Sequence, residues 1–106
     1  MIFIETTLFT RHANELLDDD GLRGLQQALA QNPLAGRVIE GTGGIRKIRV
    51  ASKGHGKRGG ARVIYYHFTR SFQIALLMIY AKNEQVDLTH EECRALKRLI
   101  EGWGHQ

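Results

Sequence analysis

The sequence of 106 residues has little of several features that define common protein classes. It contains one cysteine, Cys93, so an internal disulfide cannot form, and no C-x-x-C pair suggests a metal site. No apolar run approaches the roughly 20 residues of a membrane span. An early acid, Glu5, and the lack of a preceding basic segment do not fit a secretory signal. We therefore expect a soluble cytoplasmic protein, without membrane contact, that forms a single domain over residues 1–106.

Acidic residues are absent from residues 41–83, which contain nine lysines and arginines. The flanking segments are acidic, with a net charge of −3 over residues 1–40 and −2 over residues 84–106. The net charge of +4 for the whole chain therefore hides a segment of +9. A segment of one sign and this length predicts a polyanionic partner, with nucleic acid as the first candidate.

Apolar periodicity in the first third of the chain predicts a strand and a helical hairpin. The strand covers residues 1–6, where Ile2, Phe3 and Ile4 are consecutive. Two short amphipathic helices follow, one up to Leu17 and one up to Asn32-Pro33, with a tight joint at residues 18–21.

From Val38 onward the apolar period changes to two, which indicates strands. We expect them at residues 46–50, 62–68 and 72–81, with a glycine-rich turn or bulge at residues 41–44. Thr89 and Glu92 match a capping box for a final helix that runs to Trp103. The order β-α-α-β(3-4)-α predicts an α+β domain with an antiparallel-rich sheet and its helices on one side.

The sequence matches neither a phosphate-binding loop at the glycine-rich residues 51–60 nor a metal site formed by histidines. The loop lacks the Lys-Ser/Thr ending of a phosphate-binding P-loop and precedes a strand, so no helix N-terminus faces it. His55, His67 and His90 have no spacing that supports a metal site. We expect neither a metal nor another cofactor.

The predicted strands and the loop between two of them carry most of the basic residues. Lys47 and Arg49 belong to one strand, Arg62 opens the next and Lys82 closes the third. The loop adds Lys53, Lys57 and Arg58. Adjacent antiparallel strands would bring these side chains onto one patch, where lysine and arginine bind phosphate oxygens. Aromatic rings can stack on unpaired bases, and those near the patch are Tyr65, Tyr66, Phe68 and Tyr80. For the first three, core packing is the favoured interpretation.

Three segments carry a family resemblance. They are Gly-Thr-Gly-Gly-Ile-Arg-Lys-Ile-Arg-Val at residues 41–50, Gly-Gly-Ala-Arg-Val-Ile-Tyr-Tyr at residues 59–66 and Ile-Tyr-Ala-Lys-Asn-Glu at residues 79–84. Together they resemble the RelE/ParE superfamily of bacterial toxins, with the HigB-type toxins as the nearest branch. The resemblance extends over essentially the whole chain and implies a RelE-like fold.

The resemblance also implies a function. It is that of a toxin of a type II toxin–antitoxin system, a metal-independent endoribonuclease that cuts mRNA in the decoding site of a bacterial ribosome and so inhibits translation and growth. The implied partners are a cognate antitoxin, the ribosome and mRNA, and operator DNA only through the antitoxin complex. Two alternatives remain open: a gyrase-poisoning toxin of the same superfamily, and a non-catalytic module that binds RNA or the ribosome.

Site residues follow from the same resemblance. Arg62 matches the family arginine after the glycines, Lys82 matches the basic position closing the last strand, and Lys53 and Lys57 match the loop lysines loosely. Arg62 and Lys57 are expected to stabilise the reacting phosphate, while Lys53, Lys82 or a histidine transfers protons. Leu88 lies where several members place a catalytic tyrosine. Residues expected to bind RNA or the ribosome are Lys47, Arg49, Arg58, His55 and Asn83.

Overall fold

Three helices and five strands follow one another in the computed structural model, which describes residues 1–53 and 60–103. In chain order they are β1 (Ile2–Glu5), α1 (Thr7–Leu16), α2 (Asp19–Gln31), β2 (Arg37–Val38), β3 (Arg46–Val50), β4 (Ala61–Phe68), β5 (Gln73–Ala81) and α3 (His90–Trp103). This order confirms the predicted α+β arrangement, with four strands between the helical hairpin and the last helix. No helix of the described residues is long and apolar enough to cross a membrane.

Side-chain caps fix where the helices begin. The Thr6 hydroxyl and the Asp18 carboxylate each accept a hydrogen bond from the backbone amide three residues further on, at 3.0 and 2.7 Å. At the start of α3, the Glu92 amide donates to the Thr89 hydroxyl at 3.0 Å and the Thr89 amide donates to the Glu92 carboxylate at 2.9 Å. The predicted capping box is therefore confirmed.

The strands form one mixed sheet in the order β1-β5-β4-β3-β2. β1 pairs with β5 in parallel, and all other neighbours are antiparallel. β4 and β5 form the buried centre, and their register shifts between Ile64 and Tyr65. The expectation of an antiparallel-rich sheet is confirmed.

Helices cover both faces of the sheet, so the expectation that they lie on one side was wrong. One core contains Phe9 of α1 and Leu29 of α2, packed against β4 and β5 side chains such as Val63. A second core contains Leu96 and Ile100 of α3 on the opposite face. The reason is the apolar run of β5, where both faces are buried and each needs its own cover.

A glycine turn joins β2 to β3, as the sequence predicts. Gly41, Gly43 and Gly44 have φ angles of 79°, 78° and 112°, a region that L side chains rarely adopt. Between them, the buried Thr42 hydroxyl donates to the Ile39 carbonyl at 2.6 Å. The turn thereby fixes the antiparallel register that sets Arg37 of β2 opposite Lys47 of β3.

Candidate nucleic-acid interface

The strand register brings basic side chains from three strands onto one face. Lys47 and Arg49 are two residues apart on β3, so both project from the face that α3 covers further along. Arg37 lies opposite Lys47, and Arg62 lies opposite Arg49. Helix α3 packs against only part of this face, and the basic side chains lie outside the core that it forms with the sheet.

These side chains line a groove of about 710 Å³. Lys82 reaches it from the residue after β5, where its backbone amide donates to the Gly60 carbonyl at 3.0 Å. The full lining is Ala35, Arg37, Lys47, Ile48, Arg49, Arg62, Lys82, Val86 and Asp87. Five cations around one concave surface can bind several phosphate oxygens at once.

Arg62 is the least exposed of these cations, with 6% of its surface accessible. Its guanidinium donates to the Ala61 carbonyl at 3.1 Å, and no carboxylate pairs with it within residues 1–53 and 60–103. The segment 54–59 contains no acidic residue either. Arg62 of β4 also lies directly opposite Arg49 on the neighbouring strand β3, and like charges in that position repel. A buried cation without a counter-ion favours the arrival of an anion.

One carboxylate, Asp87, lies among the groove cations. It accepts a hydrogen bond from the Lys47 ammonium at 2.7 Å, and its side chain is 70% exposed. The Lys47 hydrogen bond and charge hold the pKa of Asp87 below its usual value. An incoming phosphate therefore competes with Asp87 for Lys47 but not for Arg62.

Lys53 and Asn83 line a separate, smaller hollow of about 220 Å³. The Lys53 ammonium donates to the Asn14 carbonyl of α1 at 3.0 Å, which directs it toward the helical hairpin. Glu15 and Glu84 line the same hollow. The structure thus brings together Lys47, Arg49, Arg62 and Lys82, but it places Lys53 and Asn83 elsewhere.

The remaining expected site residues, His55, Lys57 and Arg58, lie outside the described residues, and their roles stay predictions. Of the rings proposed for base stacking, Tyr65 is fully buried and Tyr80 is 6% exposed, whereas Tyr66 and Phe68 are half-buried. Burial raises the pKa of the Tyr80 phenol, so this group stays protonated at neutral pH.

Sequence reasoning did not single out two groove residues, Arg37 and Asp87. Arg37 lies in the acidic first segment of the chain, and only the pairing of a two-residue strand brings it opposite Lys47. A signal for it exists, since Arg37-Val38 and Arg46-Lys47 flank the glycine turn as hairpin partners would. Asp87 follows no periodic pattern, and the fold of the segment after β5 decides its position.

The fold and the groove together define a small α+β protein with one groove lined by five cations. Comparison with known protein families matches residues 2–104 to one described as the RelE toxin of the RelE / RelB toxin-antitoxin system. The chain belongs to this family. Membership confirms the predicted superfamily and toxin role, and it implies an antitoxin as a protein partner.

Proposed function

We propose that this chain is the toxin of a type II toxin–antitoxin pair, of the HigB-type branch, and that it cuts mRNA on translating ribosomes in the bacterial cytoplasm. The family supplies the toxin role. The segments quoted above, at residues 41–50, 59–66 and 79–84, support the branch. The groove supports the substrate class, because its cations suit a phosphodiester backbone.

The observation that carries the proposal is the nearly buried Arg62, whose guanidinium has no carboxylate partner among residues 1–53 and 60–103. Most buried charges in proteins are paired with a counter-charge. This one faces Arg49 and lines the same groove as Lys82. Such an arrangement costs stability in the free protein and is relieved when a phosphate binds, as expected for a site selected for function.

The proposed reaction is an attack of the RNA 2′-hydroxyl on the adjacent phosphorus. The 2′-oxygen forms a bond to phosphorus, the bond from phosphorus to the 5′-oxygen breaks, and the products are a 2′,3′-cyclic phosphate and a 5′-hydroxyl. One proton leaves the 2′-oxygen and one reaches the 5′-oxygen, so the step balances without an oxidant or a co-reactant.

Residue roles follow from this chemistry and from the placement of the side chains. Arg62, and Lys57 by resemblance, stabilise the additional negative charge on the phosphorane. Lys82 shares the groove with Arg62, whereas Lys53 is bonded to α1, so we favour Lys82 over Lys53 for proton transfer. Lys47, Arg49 and Arg37 hold the flanking phosphates of the RNA.

The experiment is induction of the chain in bacteria, with mapping of new mRNA 5′ ends against translated codons. We expect new 5′-hydroxyl ends in phase with codons for the wild type, and cleavage slower by about 10²–10³-fold for Arg62→Met. Arg94→Ala is the matched control, because Arg94 is an exposed arginine of α3, and we expect wild-type cleavage from it. Expression of each variant is measured in the same cells.

Other outcomes separate the alternatives. A DNA-damage response without mRNA cleavage would identify a gyrase-poisoning toxin. Association with ribosomes that leaves mRNA intact would identify a binding module without catalysis. Cleavage by Arg62→Met at the wild-type rate would contradict the assigned role of the groove.

A further inference from the structure

The first strand, β1, forms one edge of the sheet, and no other described strand pairs with its outer side. The amides of Ile2 and Thr6 point inward, since they donate to the Phe72 and Leu76 carbonyls, each at 3.1 Å. Backbone groups alternate along a strand, so the amide and carbonyl groups of the odd-numbered residues between them point outward. This edge can accept another strand.

Exposed apolar side chains gather at the beginning of this edge. Ile2 is 57% exposed and Met1 is 45% exposed. Phe72, whose carbonyl accepts from the Ile2 amide, is 70% exposed. Three large apolar side chains at the open end of an edge strand form a surface that favours burial against a partner.

Phe72 also holds a strained backbone conformation. Its φ angle is 52°, and it is the one non-glycine residue with a positive φ among the residues that the structure describes. A bulky L residue is strained in this region because its Cβ crowds the backbone, and glycine would avoid the strain. Since the Phe72 ring is largely exposed, packing in the monomer does not account for the strain. The conformation presents the ring outward.

An aromatic hollow of about 610 Å³ lies beside β1 on the face covered by α3, and Ile4, Phe68, Arg70 and Trp103 are among its lining residues. The Phe68 and Trp103 ring centroids are 5.7 Å apart. The exposed Arg70 forms no ion pair with any carboxylate of the described chain. The hollow therefore suits apolar side chains accompanied by one carboxylate.

We propose that the free edge of β1, Phe72 and this aromatic hollow form the docking surface of the antitoxin. An extended antitoxin segment adds to the sheet as a sixth strand and hydrogen-bonds to the outward groups of Phe3 and Glu5. Its apolar side chains cover Ile2 and Phe72, and an acidic side chain pairs with Arg70. The proposal rests on membership of a toxin–antitoxin family and not on the RNA chemistry, because the surface lies at the opposite edge of the sheet from the groove.

Two variants test the surface in binding of purified full-length toxin to the antitoxin encoded with it, measured by calorimetry. Phe72→Gly removes the ring and relieves the positive φ, so we expect at least a tenfold loss of affinity without a lower thermal midpoint. Arg70→Glu should also weaken binding at least tenfold. Leu34→Ser is the control, since Leu34 is 58% exposed in the connection between α2 and β2, and its effect should stay below twofold.

Hydrogen exchange of the same complex tests strand addition directly. We expect the amides of Phe3 and Glu5 to exchange more slowly when the antitoxin is bound. Wild-type affinity of Phe72→Gly, or unchanged exchange at both amides, would overturn the proposal. A loss of self-association in Phe72→Gly, with antitoxin affinity unchanged, would assign the surface to a second copy and overturn it as well. If the wild type fails to cleave mRNA, the proposed function fails while these binding results stand.

Discussion

Replacement of Arg62 by methionine should remove the function and at the same time stabilise the fold. In most buried positions a charged side chain has a partner, and its removal leaves that partner uncompensated. Arg62 differs, because its guanidinium bonds only to the Ala61 carbonyl in the described structure and faces the like charge of Arg49. Methionine fills similar space, and it removes the repulsion and the desolvated charge together.

The magnitudes follow from the two effects. A pair of like charges directly opposite each other on neighbouring strands lowers the free energy of unfolding by about 0.2–1 kcal/mol. Its removal should raise the thermal midpoint by about 1–8 °C in a chain of this size. Loss of one group that stabilises a transition-state charge should lower the cleavage rate by about 10²–10³-fold.

Thermal unfolding with and without inorganic phosphate measures the first effect. Phosphate that binds only the folded wild type at ten times its Kd should stabilise it by about 1.4 kcal/mol, whereas Arg62→Met should gain much less. Single-turnover cleavage of mRNA on programmed ribosomes measures the second effect.

The reasoning would be refuted by a variant that loses about 2 kcal/mol or more of stability and still responds to phosphate as the wild type does. That result would mean that Arg62 is a structural residue with a partner. Arg94→Ala serves as the control in both assays, since it removes a positive charge from an exposed helix surface.

Four further predictions concern the groove and its support. Asp87→Asn should free Lys47 and tighten binding of an RNA oligonucleotide, with a salt dependence steeper by about 0.7, measured by fluorescence anisotropy; an unchanged slope would contradict it. In the wild type, the lowered pKa of Asp87 keeps its ion pair with Lys47 intact at neutral pH. The stability that this ion pair contributes is lost as the pH falls through the lowered pKa. In Lys47→Met, the pKa of the Asp87 carboxyl, measured by NMR, should return to its ordinary value. Gly36→Ala should lower the free energy of unfolding by about 1–3 kcal/mol in chemical denaturation, because a Cβ would lie 2.8 Å from the Tyr65 hydroxyl. Gly24→Ala in α2 is the control. Its Cβ meets nothing within 4 Å, so this substitution should raise the free energy of unfolding by about 0.5–1 kcal/mol. Tyr65→Phe should cost about 1–3 kcal/mol, since the buried Gly36 amide loses its 2.8 Å acceptor; equal stability of the two proteins would contradict this.

Local patterns predicted most of the secondary structure. The capping box at Thr89 and Glu92, the acidic start of α2 and the glycine turn at residues 41–44 are fixed by neighbours in the chain, and all are confirmed. The placement of α3 was not predictable in this way. Its apolar stripe fits either face of a sheet, and only the apolar run of β5, buried on both sides, requires a helix on each.

The candidate site was predictable where side chains belong to long strands. Alternation along β3 and the start of β4 placed Lys47, Arg49 and Arg62 together. Lys53 was expected with them from its position in the chain, but its ammonium bonds to α1 on the other side of the sheet. A residue just beyond a strand end is free to turn either way, so alternation does not determine its direction.

By itself the sequence determined the charge segregation, because a stretch of +9 without an acid must present a cationic surface however it folds. It also determined the element order, because periodicity and caps act over a few residues. Only the tertiary structure decided which cations meet. Strand pairing places Arg37, from the acidic segment, opposite Lys47 and places Arg62 opposite Arg49. The fold of the segment after β5 places Asp87 within hydrogen-bonding distance of Lys47. Contacts between residues ten or more positions apart depend on the register of the whole sheet, which no local pattern specifies.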